Sequence, residues 1–86
     1  MDEERKISRA AMADQFIELA NDFTKTESKE RVGAAIMFAA ARYNAFEASS
    51  KADDLNKMRE DALKWYSDEY KKMLNANIDE IVGMHS

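Results

Sequence analysis

The sequence predicts an all-α protein, an up-down-up three-helix bundle formed as a single domain over residues 1–86 and completed by dimerisation. Three observations carry that expectation. Proline is absent and glycine occurs only at Gly33 and Gly83, so the two residue types that most often break helices are nearly missing. Apolar residues recur at spacings of three and four along three segments, the period of an amphipathic helix. Two short polar stretches separate those segments, and short connections make sequential helices antiparallel neighbours.

The first helix is expected over about residues 3–24, where Ile7, Ala10, Ala11, Ala13, Phe16, Ile17, Ala20 and Phe23 alternate with Arg9, Asp14, Glu18 and Asp22. The stretch TKTESKE then interrupts the pattern, and Thr26 or Ser28 offers an N-cap oxygen for a second helix over about 29–48. In ASSKADD, Ser50 followed by Asp53 resembles a capping box with Asp in the usual Glu position, opening a third helix over about 52–75. Leu55, Met58, Ala62, Trp65, Tyr66, Tyr70, Met73 and Leu74 form its stripe. The helix either extends to about residue 82, with Gly83 as a left-handed cap, or breaks at Asn75 and Asn77.

The second helix differs from its neighbours. Between Arg31 and Arg42 lie ten consecutive apolar or glycine residues, half the roughly 20 that a membrane span needs. On a helical projection Val32, Ala35, Ile36, Ala39, Tyr43 and Phe46 make one face. Ala34, Phe38, Ala41, Arg42 and Ala45 make the next, and Gly33, Met37, Ala40 and Asn44 a third. Apolar side chains point nearly all the way round, the mark of a helix buried on most sides. Two partner helices of one chain cover part of such a surface, and a second copy is the simplest cover for the remainder. Close wrapping of the first and third helices around the small alanines is the alternative. Gly33 and Ala40 permit close approach of a neighbouring backbone.

Composition narrows the function classes. With 45% hydrophobic and 35% charged residues the chain lies far from disordered compositions and is expected to fold. Its net charge of −4, with acids and bases mixed along the chain, disfavours a phosphate-binding stripe and hence nucleic acid. No cysteine is present, which rules out disulfides and thiolate chemistry. The charged start MDEERKIS has no apolar segment of a signal peptide. A cytoplasmic protein is expected, with no membrane partner.

At FIELAND, Phe16 to Asp22, and above all at FAAARYNAF, Phe38 to Phe46, the chain resembles a family of short bacterial proteins known only as a domain of unknown function. YKKML, Tyr70 to Leu74, and the following NIDEIV resemble its C-terminal segment, so the likeness spans most of residues 14 to 82. The resemblance implies a small, helical, bacterial cytosolic protein. It implies no activity, cofactor or catalytic residue.

Arg42 and Asn44 are strongly polar residues in an apolar helix, with Tyr43 between them. They suit either of two roles. Arg42 could fork onto an anionic metabolite that Asn44 orients, or Arg42 could pair with an acid of the first or third helix while Asn44 bonds within the bundle or across a dimer. The second is favoured. Trp65, Tyr66 and Tyr70 read as packing residues with polar tips in water. The acids from Asp53 to Glu69 are interleaved with lysines and lack the spacing of a calcium loop. His85 is the single histidine, which leaves a bundle metal site without a second imidazole. The expectation is therefore a non-enzymatic interaction module without cofactor, a homodimer with a further protein partner. Its interaction or packing positions are Gly33, Met37, Ala40, Arg42, Tyr43, Asn44 and Phe46.

Overall fold

The computed structural model describes residues 7–85. Three helices account for almost all of them: α1 (Arg9–Phe23), α2 (Lys29–Lys51) and α3 (Arg59–Met84). The chain forms two compact units, Met1–Ala41 and Arg42–Ser86, with the boundary inside α2.

In the first unit the helix starts follow from hydroxyl caps. Ile7 and Ser8 lie before α1, and the Ser8 Oγ accepts from the Ala11 amide at 3.1 Å, satisfying one of the orphan donors of the first turn. The expected start at about residue 3 is thereby moved to Arg9 among the described residues, because Ser8 competes for the backbone locally; positions 3–6 lie outside them. Of the two caps considered for α2, Ser28 is the one used: its Oγ accepts from the Arg31 amide at 3.1 Å. Beside it Arg31 reaches back to Glu27 at 2.8 Å, an exposed pair of small worth. Among the described residues of this unit, the buried ones are Ala20 of α1 and Val32 of α2, at 9% and 7% exposure.

Ser28→Ala is expected to lower unfolding stability by about 1 kcal/mol, the usual value of a hydroxyl N-cap. Urea denaturation followed by circular dichroism checks it, with an unchanged midpoint as the contrary result.

The second unit departs further from the sequence expectation. α2 runs on to Lys51 rather than to about 48, and α3 opens at Arg59 rather than 52. The reason is that Ser50 does not cap forward. Its hydroxyl donates to the Glu47 carbonyl and that of Ser49 to the Phe46 carbonyl, both at 2.8 Å, so both serines close the last turn of α2. The intervening turn is held instead by Asp54, whose Oδ1 accepts from the Lys57 amide at 3.3 Å. Glu60 and Asp61 then occupy the first turn of α3, where carboxylates favour the positive end of the helix dipole.

α3 continues through Asn75 and Asn77. The Asn77 amide nitrogen donates to the Met73 carbonyl at 2.8 Å, bonding back along the helix instead of breaking it. Gly83 lies inside the helix, no described glycine has a positive φ, and the C-cap is His85 at φ −104°. The left-handed glycine cap expected at residue 83 is not formed, since the helix passes that point before ending.

Candidate functional site

The side chains that join two helices converge on one carboxylate. Glu47 is the only acid between Arg31 and Ser50, and its Oε1 accepts from the Asn44 amide nitrogen at 3.1 Å and from the Tyr66 hydroxyl at 3.0 Å. Lys51 approaches its second oxygen at 3.7 Å. Asn44, Glu47 and Tyr66 are all half-buried. Helical geometry explains the grouping within α2, since residues three and four apart share a face and so set Asn44, Glu47 and Lys51 in line. Tyr66 is placed about two turns into α3, with Trp65 packed edge-on against its ring at 5.0 Å.

The environment polarises this pair. The hydrogen bond from Tyr66, reinforced by that from Asn44, holds the Glu47 carboxyl below its ordinary value of 4.5. Partial desolvation, followed by the bond to Glu47, pushes the Tyr66 phenol above its ordinary value of 10.0. Folding therefore favours an ionised Glu47 and a protonated Tyr66 together. For Glu47, a lowered native value means that its contribution is fully present above about pH 4.5 and is lost as pH falls through the native value. For Tyr66, a raised value means a contribution present below about pH 10 and lost above it.

Tyr66→Phe is expected to lower the melting temperature at pH 7 by about 5 °C, the size of one net hydrogen bond in a chain this small. The difference from the parent should shrink as pH falls through the lowered native value of Glu47, where the carboxylate becomes protonated. A pH-independent difference would mean that the phenol acts by packing alone.

Elsewhere on α2 the exposed side chains are large and aromatic. Phe38, Tyr43 and Phe46 are 68%, 71% and 62% exposed. The Arg42 guanidinium lies 5.5 Å from the centre of the Phe46 ring, within the range of a cation–π contact. No carboxylate among the described residues pairs with Arg42, so the pairing expected with an acid of another helix gives way to this contact one turn along α2. Asn44, by contrast, donates within α2 to Glu47, the carboxylate that also accepts from Tyr66 of α3.

The structure does not gather Arg42, Tyr43 and Asn44 into one pocket. Consecutive helical residues diverge by about 100°, and Asn44 is engaged with Glu47 while Arg42 turns to Phe46. Gly33, Met37 and Ala40 are exposed on the line that leads to Asn44, and a side chain at Gly33 would meet nothing within 4 Å. Glu47 escaped sequence reasoning because it sits at the edge of the polar end of α2. Its spacing of three from Asn44, as the one acid of that helix segment, was the available signal.

The acids of α3 serve local pairs: Lys64 with Asp68 at 2.9 Å and Lys72 with Glu69 at 3.1 Å. Among the described residues no three His, Asp or Glu side chains are grouped to hold a metal ion, and no helix is long and apolar enough to cross a membrane.

Three helices, a polar clasp between two of them and an exposed aromatic face make up an all-helical chain among the described residues. The chain belongs to the family described as protein of unknown function (DUF3144), whose pattern matches residues 10–82 and so takes in most of all three helices. No curated protein and no solved structure matches it.

Proposed function

We propose that this chain is a non-enzymatic protein–protein interaction module of the bacterial cytosol that self-associates through α2, without cofactor, nucleic acid or membrane. The observation that carries this reading is the state of the three faces of α2. On one, Val32 is buried. On another, Asn44 is tied through Glu47 to Tyr66. The remaining face, Ala34, Phe38, Ala41, Arg42 and Ala45 with Phe46 at its border, is exposed throughout.

That face has the make-up of an interface centre. Aromatic side chains and arginine are the residues that most often anchor protein contacts, and the alanines around Phe38 let a second helix approach closely. Arg42 over Phe46 carries its charge on an aromatic surface instead of in an ion pair, which keeps the patch free of a carboxylate that association would desolvate. Mixed surface charge and a net of −4 favour a protein partner over a polyanion.

Light scattering on a sizing column over a hundredfold range of concentration tests the reading. A mass near twice 9.8 kDa is expected. A mass of 9.8 kDa throughout overturns it.

A further inference from the structure

The two units hold their helices by different means. In the first, Ala20 and Val32 are buried, and the carboxylates that pair among the described residues do so locally, Asp22 with Lys25 and Glu27 with Arg31. In the second, no described residue is buried. Apart from Tyr66, the half-buried apolar side chains there are Ala48, Ala52, Leu55 and Ala62, three of which offer a single methyl group. Among the described residues the one side-chain bond that joins α2 to α3 runs from the Tyr66 hydroxyl to Glu47 Oε1, at 3.0 Å. Where apolar burial is this small its stabilisation is small in proportion, and the polar clasp carries a correspondingly larger share.

The clasp in turn depends on a charge. Glu47 Oε1 receives two donors, the Tyr66 hydroxyl and the Asn44 amide nitrogen, and its second oxygen faces the Lys51 ammonium at 3.7 Å. Such a setting suits an acceptor that carries no proton of its own. A proton on Oε1 would meet both incoming donors, and a proton on the other oxygen would take a lone pair from Lys51. The bonds that survived would be neutral ones, about half as strong as bonds to a carboxylate.

No neighbouring group stands ready to replace that charge. Lys51 is the charged side chain that acts on Glu47 from α2, and Tyr66 is the titratable group that meets it from α3. Elsewhere on α3, Lys64 is taken up by Asp68, Glu69 by Lys72, and Arg59 donates to Asn56.

We propose that Glu47 is an acid-released latch: as a carboxylate it draws α3 onto α2 through Tyr66, and on taking up a proton it lets these two helices of the second unit part while the first unit stays folded. The latch belongs to a single chain and stands apart from the self-association reading.

The direction of the response follows from the donors around the carboxyl. Tyr66 and then Asn44 hold it below its ordinary 4.5, so the latch is closed above that pH and is lost as pH falls through the native value. Asp68 is also held low, by its bond from Lys64. That pair lies within α3, so its loss frees nothing from α2.

The chain carries its own reporter. Trp65 is the single tryptophan and packs edge-on against the Tyr66 ring, and every tyrosine lies in the second unit. Near-ultraviolet circular dichroism therefore reads the second unit, while the far-ultraviolet signal reads the helices of both. The full-length parent, Glu47→Gln and Lys51→Ala are titrated from pH 7 to pH 2.5. In the parent the aromatic signal is expected to fall about twofold or more ahead of any loss of helicity, the signature of packing released while helices persist. Glu47→Gln carries a neutral side chain at every pH, so its aromatic signal at pH 7 should match the acid form of the parent and stay flat. Lys51→Ala should move the midpoint upward, because the ammonium helps to hold the carboxyl low.

A Glu47→Gln signal that equals the parent's at pH 7 and falls at the same midpoint would overturn the latch. So would a parent whose aromatic and helical signals fall together, since that is unfolding of the whole chain. Should Glu47→Gln lose its helicity at pH 7, Tyr66→Phe decides instead. It keeps a ring against Trp65 and removes the donor, so the acid step in the aromatic signal should vanish, and an unchanged step overturns the proposal.

Discussion

Phe38→Asp is expected to turn the proposed dimer into a folded monomer. Phe38 is 68% exposed in the chain, so its substitution removes little from the folded protomer and the helical circular dichroism should be retained. In a two-fold dimer the same residue is lost from both sides. Burying a phenylalanine contributes about 2 kcal/mol, so the pair contributes about 4 kcal/mol, or roughly a thousandfold in dissociation constant. The introduced carboxylates add to this, because they would be desolvated in an apolar contact. Sedimentation or light scattering at micromolar concentration reads the change. Retention of the parent mass at equal concentration would show that this face of α2 is not where the copies meet.

Exposure decides why that experiment is informative. Along α2 Val32 is buried and Asn44 is engaged with Glu47, and a substitution at either confounds folding with association. Arg42→Ala offers a milder counterpart to Phe38→Asp. It removes the cation lying over Phe46, a contact of about 0.5–1 kcal/mol at an exposed site.

The helices were legible in the sequence because their causes are local. The spacing of apolar residues, the lack of proline and the hydroxyls before each helix act over a few residues, and Ser28 caps α2 as its position suggested. The boundaries that moved did so where two local bonds compete. Ser49 and Ser50 can cap a following helix or bond back to the preceding turn, and they bond back. Asn77 and Gly83 each have an intrinsic preference against helix of at most about 1 kcal/mol, too small to stop a 26-residue element. Propensity ranks residues, but continued backbone bonding sets the length.

The polar clasp was only half legible. Asn44 stands out in an apolar run, and its bond to Glu47 one turn along α2 is in keeping with the rule that half-buried amides find partners. Glu47 and Tyr66 are nineteen residues apart, and nothing in periodicity states which tyrosine of α3 meets which residue of α2. The same limit applied to Arg42: an arginine accepts either a carboxylate or an aromatic face, and the choice of Phe46 depends on what lies one turn away on the same helix.

Val32→Asp is expected to unfold the first unit at neutral pH. Val32 is 7% exposed and, with Ala20, is buried among the described residues there. Aspartate is no larger than valine, so the substitution adds charge to the site without bulk. Leaving a buried charge unpaired costs about 3–5 kcal/mol, while the whole stability of a chain of 86 residues is on the order of 4–13 kcal/mol. Position 32 lies near the N-terminal end of α2, where the helix dipole returns at most about 1 kcal/mol to a carboxylate. Burial wins over the dipole. Desolvation should raise the native pKa of the introduced group, so the variant should be most stable below about pH 4, and should lose stability as pH rises through that raised value. Val32→Ala separates the two causes: it leaves a cavity without a charge, costing about 1–3 kcal/mol with no pH dependence of its own. Thermal melts of the two variants between pH 3 and 8 read the difference. A Val32→Asp melting curve that matches Val32→Ala at every pH would mean that the side chain reaches water at position 32, and that the seam between α1 and α2 is looser than its burial implies.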